Sequence, residues 1–193
     1  DSRISEKYFG ELSPRILSAL GTSYVQSADK GCQYLAVEDF NTTGLDGPIT
    51  SERPTSKPNS FWFFTWASGT SNKGTGTRGK NGVGKIVFPR SSGIKSQLVY
   101  SIRDNQDPSF LVFGIAFLKF HDYEGQRWNP NCSWMNEDEN GLHVPFQDDE
   151  TRDEFVQDWK LTRINEQSGT SIIVPYVDDG FSAAKITQCI VQD

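Results

Sequence analysis

The segment best suited to hold a phosphate is Gly79-Lys80-Asn81-Gly82-Val83-Gly84-Lys85. Glycines at this spacing let successive backbone N–H groups turn toward one point, and the neighbouring lysines add positive charge. Two phosphate-binding readings compete. As a P-loop, the stretch from Gly79 to Lys85 keeps the glycines and the lysine, but Ile86 stands where Ser or Thr must ligate magnesium. Nor can Gly74-Thr75-Gly76-Thr77-Arg78 form the buried strand that must precede a P-loop. The P-loop is rejected. The other reading uses Gly79, Gly82 and Gly84 ahead of a helix, and it needs a partner for the base. Asp39 closes the apolar run Tyr34-Leu35-Ala36-Val37, where a carboxylate can accept a hydrogen bond from the exocyclic amine of adenine. Gly44 and Gly47 leave room for a flat ring. Gly169-Thr170-Ser171 sits before a late apolar run, where its hydroxyls can face the same pocket.

The elements that must position these residues follow from the hydrophobic pattern. Tyr34 to Val37 reads as a strand, and Gln97–Ile102 with Leu111–Leu118 as a β-hairpin around Asp104-Asn105-Gln106-Asp107-Pro108. Ser171 to Val177 reads as a further strand. Helices are expected from Ser13, with Pro14 in its first turn, from about Ile86, from Glu150 to Trp159 and from Ser182 to Val191. Phe61 to Trp66 is too aromatic to leave exposed and suits strand or helix. Trp128 to Asp149 reads as an irregular insertion. Strands and helices mix without βαβ alternation, which favours an α+β two-layer sandwich: a mixed, mostly antiparallel sheet with helices on one face.

In this order of motifs the chain resembles the GHKL (Bergerat-fold) ATPases, and Glu38-Asp39-Phe40-Asn41-Thr42-Thr43-Gly44-Leu45 is similar to the version in poorly characterised bacterial members, some associated with phage defence. The resemblance spans about Tyr34 to Val177. It implies a Bergerat-like fold, with Asp39 on the adenine amine, Gly44 lining the base pocket and Thr170, after Gly169, supporting the adenine side. Gly79, Gly82 and Gly84 would wrap the phosphates of ATP or ADP, with Lys85 at the helix start. A lid within about Ser51 to Arg78 would close over ATP and drive dimerisation or signalling to other domains, with slow ATP hydrolysis.

Three departures qualify the match. Asn41 stands where the adenine motif has glycine, and Asn is the non-glycine residue most tolerant of positive φ. Pro89 requires the helix after the phosphate loop to be short, kinked or late. The family's catalytic helix carries a Glu that activates water and an Asn that ligates Mg2+. Between Asp1 and Asp39 no Glu is followed four residues later by Asn, because Glu6 meets Gly10 and Glu11 meets Arg15. The expectation is that residues 1–193 are a single ATP-binding domain from a longer protein, with general base and metal ligand upstream of Asp1.

Composition bounds the alternatives. The chain has 193 residues, 12% of them aromatic, including 13 Phe and five Trp, which fits a folded core rather than a disordered polymer. A net charge of -6 argues against general nucleic-acid or anionic-membrane binding. No apolar run is long enough to span a bilayer, and Cys32, Cys132 and Cys189 read as thiols of a reducing, cytoplasmic compartment. His121, Cys132 and His143 lack the tight paired spacing of a zinc site, and His121 beside Asp122 reads as solvated. The competing function is a non-enzymatic recognition module that uses Trp128 and Trp134 on the insertion as a contact surface.

Overall fold

Two strands, β2 (Ser96–Ile102) and β3 (Phe110–Phe117), are buried along almost their whole length, so both of their faces need cover. A computed structural model provides that cover and describes residues 2–21, 32–51, 53, 59–67, 84–163 and 167–177. The two strands pair antiparallel, with Tyr100 opposite Val112. On the other side of β2 lies β9 (Gly169–Pro175), and beyond it β1 (Tyr34–Glu38), both antiparallel to their neighbours. The far edge is β6 (Asn131–Trp134), which gives the sheet order β1-β9-β2-β3-β6.

Side chains alternate across a strand. Leu98, Tyr100, Val112, Ala116 and Ile173 therefore point to one face, where they meet α1 (Ser2–Phe9), α2 (Ser13–Leu20) and α5 (Asp149–Asp158). Aromatic edges hold this layer: Tyr8 meets Trp134 at 5.0 Å and Phe155 at 5.8 Å, and Tyr34 meets Trp159 at 5.0 Å. The buried Asp158 at the end of α5 receives Lys7 Nζ at 2.9 Å, Tyr8 Oη at 3.1 Å and the Arg3 guanidinium. Burial pushes the Asp158 carboxyl up, but these three donors outweigh it and hold it below its ordinary value.

Val99, Leu111, Phe113 and Ile115 point to the opposite face, against Leu45, Ile49 and α3 (Ser60–Thr65). Phe61 and Phe64 sit edge-on to Phe113 at 5.6 and 6.3 Å. Asp46 anchors α3 by accepting from the Ser60 backbone N–H at 2.8 Å. A short α4 (Gly84–Arg90) carries Pro89 in its last turn and leads into β2.

The expected α+β class with a mostly antiparallel sheet is what forms, but helices pack on both faces rather than one. The hairpin strands are apolar on both sides, so a single helical layer would leave Phe113 and Ile115 in water. The aromatic run from Phe61 is helix. The insertion from Trp128 to Asp149 is not wholly irregular: it contributes β6 to the main sheet and the small hairpin β7 (Asn136–Glu137) with β8 (His143–Val144), and a further hairpin, β4 (His121–Tyr123) with β5 (Gln126–Trp128), leads into it. The expected helix from Ser182 to Val191 lies outside the described residues. Among the described residues no helix is long and apolar enough to cross a membrane.

Candidate functional site

The expected base-binding residues come from segments far apart in sequence and meet at one end of the sheet. As β1 ends, the Asp39 backbone N–H continues the ladder by donating to the Thr170 carbonyl at 3.0 Å. The Asp39 Oδ1 then accepts from the Thr170 backbone N–H and, at 3.2 Å, from the Thr42 hydroxyl. Nothing among the described residues hydrogen-bonds to Oδ2. Ser101 joins from β2, opposite Thr170 in register, with their hydroxyls 3.2 Å apart. By strand alternation, Val37 shares this face with Asp39 and is 39% exposed.

The glycines here are demanded by backbone approach. Gly169 has φ +136°, and a Cβ on it would lie 2.5 Å from the Asp39 carbonyl and 2.7 Å from Oδ1. Gly44 has φ +68°, and its Cβ would lie 2.2 Å from the Ile102 carbonyl. Gly44 therefore seats the loop against β2, which lets the Leu45 N–H donate to Ser101 Oγ at 2.9 Å. Asn41 does adopt a positive φ, +59°, with its N–H on the Ser168 carbonyl at 2.8 Å.

Beneath this corner lies a charged support on the other face. The Glu38 carboxylate accepts from the Thr162 N–H and hydroxyl, both at 2.9 Å, and from Ser171 Oγ at 2.8 Å. Burial pushes the Glu38 carboxyl up, yet these hydrogen bonds and nearby Arg163 leave it below its ordinary value. Both oxygens are engaged, so Glu38 is a fixed anion rather than an available general base. The Arg163 side chain, 0% exposed, donates to Ser171 Oγ at 3.1 Å, to the Gln167 carbonyl at 2.8 Å and to the Asp39 carbonyl. Burial lowers its pKa against the pull of Glu38 and Asp39. It pins the backbone that aims the Asp39 carboxylate.

Arg163 and Ser101 are the residues sequence reading misses. Neither belongs to a motif; only the pairing of β1, β9 and β2 brings them to Asp39. On the phosphate side, Gly84 opens α4 and Lys85 follows it in the helix, while Gly79 and Gly82 lie outside the described residues. The helix is short, as Pro89 requires. Within the expected lid span, α3 is packed into the core through Phe61, 1% exposed, so this part is a fixed element; residues 68–78 lie outside the described residues.

No family model, curated protein or solved structure matches the chain significantly. Among the described residues no group of three His, Cys, Asp or Glu side chains is arranged to hold a metal ion. His121 is buried rather than solvated, with Nδ1 2.9 Å from the Lys119 carbonyl. Ser133 Oγ hydrogen-bonds His143 Nδ1, and no carboxylate among the described residues orients that ring for nucleophilic catalysis.

Proposed function

We propose that this chain is the nucleotide-binding part of a GHKL-type ATPase with a Bergerat-like fold, and that the Asp39–Thr170 corner receives adenine. One observation carries the reading. Asp39 Oδ1 is held by Thr170 and Thr42 while Oδ2 has no hydrogen-bond partner among the described residues, on the sheet face that also carries exposed Val37. The Asp39 side chain is 56% exposed, so this oxygen, without a hydrogen-bond partner among the described residues, is open to a ligand N–H such as the adenine amine. Exposed Val37 on the same face offers an adenine ring an apolar contact.

On this reading Thr170 and Ser101 hold the floor of the pocket, and Arg163 keeps the Asp39 backbone in place. Gly79, Gly82, Gly84 and Lys85 take the phosphates of ATP or ADP. No base for water attack is assigned, because Glu38 is fully engaged on the opposite face. No magnesium ligand is assigned either, since the described residues offer no such set; slow hydrolysis and the dimerisation it would drive rest on the resemblance alone.

Asp39→Asn tests the base pocket. Asn keeps an acceptor for Thr170 and replaces Oδ2 with a donor that opposes the adenine amine. A charge-assisted hydrogen bond is worth about 1.5–3 kcal/mol. ATP and ADP should therefore bind roughly ten- to hundredfold more weakly, with selectivity over GTP lost and the apo melting temperature little changed. Equal binding by wild type and variant, or no nucleotide effect on wild-type melting, would refute the assignment and favour the recognition module.

A further inference from the structure

We propose a second ligand site, for a small organic anion with an aromatic ring, in the cavity at the β6 edge of the sheet. The cavity has a volume of about 710 Å³ and is walled by Arg15, Arg127, Trp66, Trp128, Ser133 and His143, with others. That volume suits a drug-sized molecule. It lies across the sheet from Asp39: β1 and β6 are the two edges of a five-stranded sheet, which separates them by on the order of 20 Å.

Three features specify the ligand. The first is charge. In a chain of net charge -6, the described residues lining this cavity include two arginines and no Asp or Glu. Neither arginine forms an ion pair among the described residues. Asp122 stands opposite Arg127 in the β4–β5 hairpin, but no salt bridge joins their side chains. The second feature is a prepared planar surface. The Arg15 guanidinium lies 4.2 Å over the Trp128 ring, with its Nε 3.5 Å from His121 Nε2, and Trp128 Nε1 is held by the Tyr123 carbonyl at 3.2 Å. A guanidinium stacked in this way, with one edge reaching the Cys132 thiol, can still turn N–H groups toward a carboxylate or phosphate. The third is unmet polarity at the wall. Thr65 is 5% exposed, lines the cavity, and its hydroxyl hydrogen-bonds to nothing among the described residues.

Cationic forks beside indole and phenyl surface recognise an anionic group attached to a ring. A neutral aromatic would leave the arginines unanswered, and a bare inorganic anion would leave the Trp66 and Phe117 side of the cavity empty.

The test uses 2-naphthoate as probe and its neutral isostere 2-naphthamide as control, titrated against the whole chain by calorimetry and by tryptophan fluorescence. Naphthoate should bind at least about tenfold more tightly than the amide, as expected for a charge-assisted pair. Arg15→Gln should remove most of that preference, and Arg127→Gln, at an exposed position, the rest. Arg15→Lys, which keeps charge without the planar fork, should retain part of it. Melting curves of each variant report whether the fold persists. Equal affinity for acid and amide, no binding of either, or unchanged preference in the folded arginine variants would overturn the proposal. So would loss of naphthoate binding in folded Asp39→Asn, since the two sites are independent.

Discussion

Replacing Arg163 with Met keeps the apolar stem and removes the guanidinium. Three hydrogen bonds disappear together: those to Ser171 Oγ, the Gln167 carbonyl and the Asp39 carbonyl. Each bond from a charged donor contributes up to about 1.5–3 kcal/mol. Removing the cation also relieves its own burial cost, which brings the net destabilisation to about 3 kcal/mol. For a chain of this size that corresponds to a fall in melting temperature of roughly 6–12 °C. The assay is urea and thermal unfolding of wild type and Arg163→Met, with Arg152→Met as control. Arg152 pairs with Asp149 and Asp153, whose side chains are 76% and 66% exposed. Its loss should cost less than about 1 kcal/mol. If Arg163→Met is no more destabilised than Arg152→Met, the guanidinium does not pin the Asp39 corner and the argument fails. On the proposed reading a second readout exists: affinity for ATP should fall in Arg163→Met and not in Arg152→Met.

Other expectations follow from single contacts. Gly44→Ala forces an L residue to φ +68° and drives its Cβ against the Ile102 carbonyl, whereas Gly125→Ala, at φ +74°, meets nothing within 4 Å. Gly44→Ala should lose more than about 2 kcal/mol and Gly125→Ala about 1 kcal/mol; equal losses in urea melts would remove the close-approach argument. Asp158 has a folded pKa below its unfolded value, so its contribution is complete above the unfolded carboxylate pKa and fades as pH falls through the folded one. The stability gap between wild type and Asp158→Asn should be full at neutral pH and narrow below about pH 4. A gap that stays constant down to about pH 3, well below the unfolded carboxylate pKa, would contradict the three-donor clamp.

Local pattern was enough for several elements, though it left Phe61 to Trp66 open and did not mark α1. Pro14 marks the start of α2, and continuous apolar runs mark β2, β3 and β9. Asp148 caps α5 through the Thr151 N–H at 2.8 Å, as an acidic cluster before a helix suggests. Pattern failed where a short segment depends on distant partners. The two residues each of β7 and β8 carry no periodicity, and β6 is a strand because β3 offers it an edge.

What the sequence determined by itself is the set of chemical groups and the order of the strands that carry them: a carboxylate after β1, glycine and hydroxyl before β9, and glycines with lysines before α4. These are local facts of residue type and spacing. Tertiary structure alone decided which of these groups share a surface. The antiparallel pairing of β1 with β9 and of β9 with β2 put Thr170 and Ser101 beside Asp39, and alternation sent Glu38 to the opposite face with Arg163. It also turned Arg15, early in the chain, onto Trp128. Such meetings depend on register, and register is set by burial on both faces of the whole sheet rather than by any short stretch of chain.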